Sequence, residues 1–137
     1  MRTIDLNIRV REFAFEEMNE ADRHLLEQAK LATNNAYANY SKFYVGAALL
    51  LADGSVVIGA NQENAAFPSG LCAERSAIFA AQSQRPEQAV VAMAVAARNE
   101  KGFLSQPITP CGACRQVVLE MEDRYKQPVR ILLYGES

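Results

Sequence analysis

The chain contains three cysteines, Cys72, Cys111 and Cys114, and two short segments hold them: Cys72-Ala73-Glu74-Arg75 and Pro110-Cys111-Gly112-Ala113-Cys114-Arg115-Gln116. An odd number cannot pair completely within one chain, so a disulfide framework is disfavoured. The C-x-x-C spacing of Cys111 and Cys114 suits a metal site or a redox dithiol, and alone it does not choose between zinc, redox chemistry and coincidence. Each segment falls at the predicted start of a helix. Unpaired backbone N–H groups there lower thiol pKa and favour the thiolate that a metal requires. Positions i and i+3 share one helix face, so Cys111 and Cys114 can hold one cation together. If the fold brings Cys72 alongside, zinc has three protein ligands and an open fourth position, which is the arrangement of a catalytic site. A fourth protein ligand would instead make the site structural. Zinc lowers the pKa of water in an open position toward about 7. Glu74, two residues from Cys72, stays close to the metal without being needed as a ligand, and is the natural proton shuttle. His24 is the one imidazole available as a fourth ligand, and its charged neighbours read as those of a solvated side chain.

These groups need elements to position them. Asn19 to Ala36 reads as a helix, because Leu25, Ala29, Ala32 and Ala36 recur at helical spacing while Asp22, Arg23, Glu27 and Lys30 lie elsewhere. The apolar run Tyr44 to Leu51, the turn Ala52-Asp53-Gly54-Ser55 and the run Val56 to Ile58 predict a hairpin. A polar connection from Asn61 to Leu71 follows, then a helix over Cys72 to Gln84 and an apolar strand over Ala89 to Ala97. Asn99 to Gly102 turns the chain, Pro110 opens a helix to about Tyr125, and Val129 to Tyr134 reads as a last strand. Ahead of all this, Ile4, Leu6, Ile8 and Val10 alternate with polar residues and predict an extra strand. Strands interleaved with helices imply the α/β class, with a sheet covered on both faces.

Bulk properties narrow the field further. With 137 residues the chain is expected to form one domain, residues 1–137, with 1–18 as an amino-terminal extension. Half of it is hydrophobic and 22% is charged, a globular composition. A formal charge of −2 and a pI near 5.5 give no electrostatic footprint for nucleic acid. No stretch is long and apolar enough to cross a membrane, and the amino terminus lacks a signal-peptide core, so a cytoplasmic protein is expected.

Taken together, Tyr40 to Ala48 (YSKFYVGAA), Asn61 to Ala66 (NQENAA), Cys72 to Arg75 (CAER) and Pro110 to Gln116 (PCGACRQ) resemble, in order, the motifs of the homotetrameric cytidine deaminase family. The match runs from Ala36 to about Gly135. The general signature of zinc deaminases has H-x-E followed by P-C-x-x-C, with the Glu as general acid/base, and Cys72 here stands in the tri-cysteine variant. The resemblance implies a three-layer α/β/α sandwich with a mixed central sheet, Zn²⁺ on Cys72, Cys111 and Cys114 at one per chain, Glu74 as proton carrier, and a homotetramer. It implies hydrolytic loss of the 4-amino group of cytidine or 2′-deoxycytidine, in pyrimidine salvage. Phe43 would stack on the pyrimidine, Asn61 and Glu63 would bind the ribose hydroxyls, and the backbone at Ala73 would help read the base. A guanidinium at Arg75, with help from Gln116, would draw negative charge from the thiolates. Two departures stand out: Asn39 where the family commonly has Pro, and Phe67 where it commonly has Tyr. Two other readings compete. A deaminase acting on bases within RNA or DNA needs cationic surface, and a non-catalytic zinc-stabilised module needs a fourth ligand. Asn61 and Glu63 also have an ordinary alternative, as hydrogen-bonding groups of a polar turn.

Overall fold

A computed structural model describes residues 1–136. Its first helix, α1 (Glu20–Ala32), begins where Asn19 turns its side chain back to accept the Asp22 N–H at 2.8 Å. It stops short of the expected Ala36. The Thr33 hydroxyl donates to the Lys30 carbonyl at 2.6 Å, and Thr33–Asn35 tightens into a 3₁₀ turn. β1 (Tyr44–Leu51) and β2 (Val56–Ala60) form the expected hairpin, with Gly54 at φ +89° in the turn. Then come α2 (Ala73–Gln84), β3 (Val90–Asn99), β4 (Gly102–Phe103), α3 (Gly112–Tyr125) and β5 (Arg130–Leu133).

The sheet runs β2-β1-β3-β4, with β5 also against β3. β1 is antiparallel to β2 and β3, β4 is antiparallel to β3, and β5 is parallel to β3, so the sheet is mixed. β4 pairs only at Arg98 and Asn99, a two-residue strand too brief to leave a periodic signal. Side-chain alternation along β1 and β3 divides the interior. Val45, Ala47, Leu49 and Leu51, with Met93, Val95 and Ala97, meet Ala77, Ile78 and Ala81 of α2 and Met121 of α3. Ala48, Ala92, Ala94 and Ala96 meet Leu25, Leu26 and Ala29 of α1 on the other face. Hence the α/β/α layering. The small residues facing α1 let that helix lie close to the sheet.

The amino-terminal expectation fails. Residues 1–14 form no strand and are exposed throughout, so the alternation from Ile4 to Val10 has no ladder partner. A strand without a neighbour leaves its N–H and C=O groups to water and gains nothing from extension.

Two contacts fix the layers relative to one another. Arg130 makes a two-pronged pair with buried Asp22, Nη2 to Oδ2 at 2.6 Å and Nη1 to Oδ1 at 3.3 Å, which ties the start of α1 to β5. On the opposite face α2 presses on β2 at Gly59, where an added Cβ would stand 2.5 Å from the Ala77 nitrogen and 2.8 Å from the Ala73 carbonyl oxygen. Both are backbone atoms, which cannot swing aside. Gly59→Ala is therefore expected to lower stability by about 1–3 kcal/mol through overpacking, read from urea unfolding curves. Because Ala73 opens α2 directly after Cys72, the same variant should also weaken the hold of that cysteine on any metal it binds.

Candidate active site

Cys72 is the N-cap of α2 and Cys111 the N-cap of α3, and neither helix start has a side-chain cap. Two helix amino termini, each with unpaired N–H groups, thus converge on one spot. Cys114 lies one turn into α3 and is buried, whereas Cys111 is exposed. Cys72 Sγ is 3.7 Å from Cys111 Sγ, Cys111 Sγ is 3.4 Å from Cys114 Sγ, and all three lie within 4.8 Å of one another. A tetrahedron with metal–sulfur bonds of about 2.3 Å has an edge of about 3.8 Å, so the three sulfurs fit one face of a zinc site. His24 is on α1, which covers the other side of the sheet. The described cluster therefore contains three sulfurs and no imidazole.

Glu74 is 4% exposed, in the first turn of α2, and its carboxyl sits beside Cys114. Burial, and then the negative Glu74 next to it, push the Cys114 thiol well above the usual range. Cys111 moves the other way, chiefly because the Cys114 N–H donates to its sulfur. The two shifts oppose each other across one 3.4 Å contact, and a bound dication would favour the thiolate at both sulfurs. Arg75 donates from Nη2 to Cys72 Sγ at 3.5 Å and also reaches Cys114, and those contacts hold its guanidinium protonated more firmly still. Its Nε is buried and has no hydrogen-bond partner among the described residues. Gln116 does not join this contact. It is exposed on α3, and no described hydrogen bond links it to a sulfur, because two positions beyond Cys114 the side chain leaves the ligand face of the helix.

The other positions named from sequence lie at the neighbouring end of the β1–β2 hairpin. Asn61 is occupied on both sides: Oδ1 accepts from the Val45 N–H at 2.8 Å and Nδ2 donates to the Phe43 carbonyl at 2.9 Å. Glu63 Oε1 accepts from the N–H groups of Tyr40 and Ser41 at 3.1 Å each, while Oε2 accepts from the Ser41 hydroxyl, bonds that hold its carboxyl below the usual carboxylate range. Both residues therefore do serve turn structure, which is the ordinary role weighed above. An amide oxygen has two lone pairs, an amide nitrogen two hydrogens and a carboxylate about four acceptor sites, so each keeps capacity for a ligand. Phe43 is half-buried against the α2-side core, and Ala73 is fully buried as the first residue of α2.

Three supporting residues escaped the sequence reading. Ser41 and the Tyr40 amide brace Glu63 across the hairpin, a pairing of residues far apart in the chain that no local pattern announces. Arg115 donates from Nε to the Pro110 carbonyl at 2.8 Å and from Nη2 to the Thr109 hydroxyl at 3.0 Å, and so clamps the segment entering Cys111. Its position immediately after Cys114 was the available signal.

Residues 19–127 match the family described as the cytidine and deoxycytidylate deaminase zinc-binding region. The chain belongs to that family. A cytidine deaminase of Halalkalibacterium halodurans is 50% identical over 97 residues, covering 71% of this chain and 69% of that protein. A cytidine deaminase of Mycobacterium tuberculosis is 39% identical over 104 residues, covering 75% of this chain and 74% of that one. In three dimensions this deaminase-family chain resembles the crystal structure of cytidine deaminase from Burkholderia pseudomallei, with a TM-score of 0.70 at 40% identity over 88% of this chain and 87% of the other. No helix among the described residues is long and apolar enough to cross a membrane.

Arg75 offers a direct check on the electrostatics. Arg75→Gln is expected to weaken zinc retention by about 10–100-fold in competition with a chromogenic chelator, the usual cost of losing a group that supports a metal ligand. Adding Cys72→His to that variant removes one negative ligand, and should recover part of the loss if charge is what Arg75 supplies.

Proposed function

We propose that the protein hydrolyses cytidine and 2′-deoxycytidine to uridine and 2′-deoxyuridine with release of ammonia, using one zinc ion per chain on Cys72, Cys111 and Cys114. The observation that carries this reading is a buried carboxyl, Glu74, set against three converging sulfurs at paired helix starts. It is supported by relatives named as cytidine deaminases. Zinc, when bound, supplies Lewis acidity that makes water nucleophilic near neutral pH. Glu74 takes a proton from water as it adds to C4 and passes it to N3, then takes the proton of the hydroxyl now on C4 and delivers it to the departing amine, leaving the C4 carbonyl. One carboxylate serves throughout, because each transfer restores the state that the next one needs.

The rest of the site holds the nucleoside still. Phe43 offers a ring face to the pyrimidine, and the Ala73 N–H at the start of α2 offers a donor to the base. Asn61 and Glu63 bind the ribose hydroxyls with the hydrogen-bonding capacity their turn contacts leave free. The same turn contacts fix both side chains before substrate arrives, so little conformational freedom is lost on binding. We assign the active form to a homotetramer in the cytoplasm, working in pyrimidine salvage, with residues 1–137 as one domain and 1–18 as its extension.

The test is incubation with cytidine, 2′-deoxycytidine, free cytosine and a cytosine-containing single-stranded oligonucleotide, following loss of cytosine absorbance and release of ammonia. The two nucleosides should react; turnover of the oligonucleotide in their place would overturn the reading. Glu74→Gln should keep zinc and fold while turnover drops by about 10²–10⁴. Glu63→Ala should lower kcat/KM on both nucleosides by roughly 10- to 100-fold, the worth of a charged hydrogen bond. Ser41→Ala, which removes one brace and spares the carboxylate, should cost less.

A further inference from the structure

The amino-terminal segment carries an unabsorbed pattern. Ile4, Leu6, Ile8 and Val10 are 69%, 87%, 89% and 86% exposed, four apolar side chains on one face of a nine-residue stretch of alternating sequence. Such a row on a folded protein marks an interaction surface. What it fits can be read from its charges. Laid antiparallel on a second copy with Asn7 opposite Asn7, the segment sets Leu6 against Ile8 and Ile4 against Val10, each twice by symmetry. On the other face Asp5 falls opposite Arg9 and Thr3 opposite Arg11, while at the ends of the apolar face Arg2 falls opposite Glu12. Every apolar residue of the row meets an apolar one, and both acidic residues of the segment meet arginines.

No neighbouring register does this. A shift by one residue puts the apolar face of one strand beside the polar face of the other. A shift by two in one direction sets Arg2 opposite Val10 and leaves Asp5 opposite Asn7, and in the other direction it sets Ile4 opposite Glu12. Cross-strand pairs of this kind are the unit of sheet stability, and self-complementarity about a two-fold axis is what an isologous contact between identical chains requires.

We propose that residues 2–12 are an exchange segment that pairs with the same segment of a second copy of this chain, as an antiparallel ribbon centred on Asn7. A two-stranded ribbon is marginal alone in water, so its apolar face needs a cover. Phe13 and Phe15, both open to solvent at the base of the segment, supply apolar surface for that purpose. The contact is independent of the metal cluster, and its failure would leave the deaminase reading untouched.

Disulfide trapping on the zinc-loaded full chain tests the register. Asn7→Cys places two thiols opposite each other on the symmetry axis, within reach of a disulfide. Under mild oxidation it should link into covalent dimers at least about tenfold faster than Asp53→Cys on the β1–β2 turn, because pairing raises the effective thiol concentration. Thr3→Cys and Arg11→Cys should each link slowly alone and quickly when mixed. Adding Asp5→Arg to Asn7→Cys should slow linking by about three- to tenfold, and further adding Arg9→Asp should restore it. These residues lie outside the packed body, so thermal melts should coincide with the parent's. Asn7→Cys linking no faster than Asp53→Cys, Thr3→Cys linking as fast alone as in the mixture, or Arg9→Asp failing to restore the rate would each overturn the proposal.

Discussion

Three sulfur atoms within 4.8 Å of one another cannot all be thiolates unless positive charge meets them, and the arrangement around the cluster answers that constraint. Both helices that carry the cysteines point their amino termini at the cluster. Arg75 reaches Cys72 and Cys114 from within α2. The remaining imbalance shows in the sulfurs themselves, with Cys114 held protonated by burial and by Glu74 while Cys111 is eased toward the thiolate by a backbone donor. A dication resolves it. A metal bound there would complete an electrostatic arrangement that the protein half-builds, as well as supply a Lewis acid.

Rigidity of the sheet makes that arrangement possible. Cys72 and Cys111 are far apart in the chain, and each depends on how its helix lies against the strands. For α2 the position is set where the helix backbone passes over Gly59 with no room for a methyl group. For α3 the entry is set by Arg115 gripping Pro110 and Thr109, while Met121 anchors the helix in the shared core. Errors of a fraction of an ångström at either helix would pull a sulfur out of the metal's reach, which is why precise packing contributes to chemistry here as well as to stability.

The two residues proposed to bind the sugar illustrate a second principle. Asn61 and Glu63 close the end of the β1–β2 hairpin by bonding to Val45, Phe43, Tyr40 and Ser41. Turn structure and ligand binding had looked like alternatives for these residues. A side chain with several acceptor or donor positions can serve the protein with one and a ligand with another, and the first bond orients the second.

Local chemistry was legible in the chain itself. C-x-x-C at a helix start, a carboxylate two residues from a third cysteine, the D-G turn of the hairpin and the helical period after Asn19 all follow from interactions within a few residues, and the structure contains each of those elements. The long-range partners were not legible: Asp22 with Arg130, Glu63 with Ser41, and the two-residue strand Gly102–Phe103 arise only when distant segments meet. The expected end of α1 and the expected strand from Ile4 to Val10 failed for related reasons. A threonine hydroxyl competing for a helix carbonyl ended the first, and the second found no ladder within the chain. Periodicity states which face of a segment is apolar. Whether that face finds a partner, and whether three sulfurs from two segments converge to one point, is decided by the packing of layers that no single segment encodes.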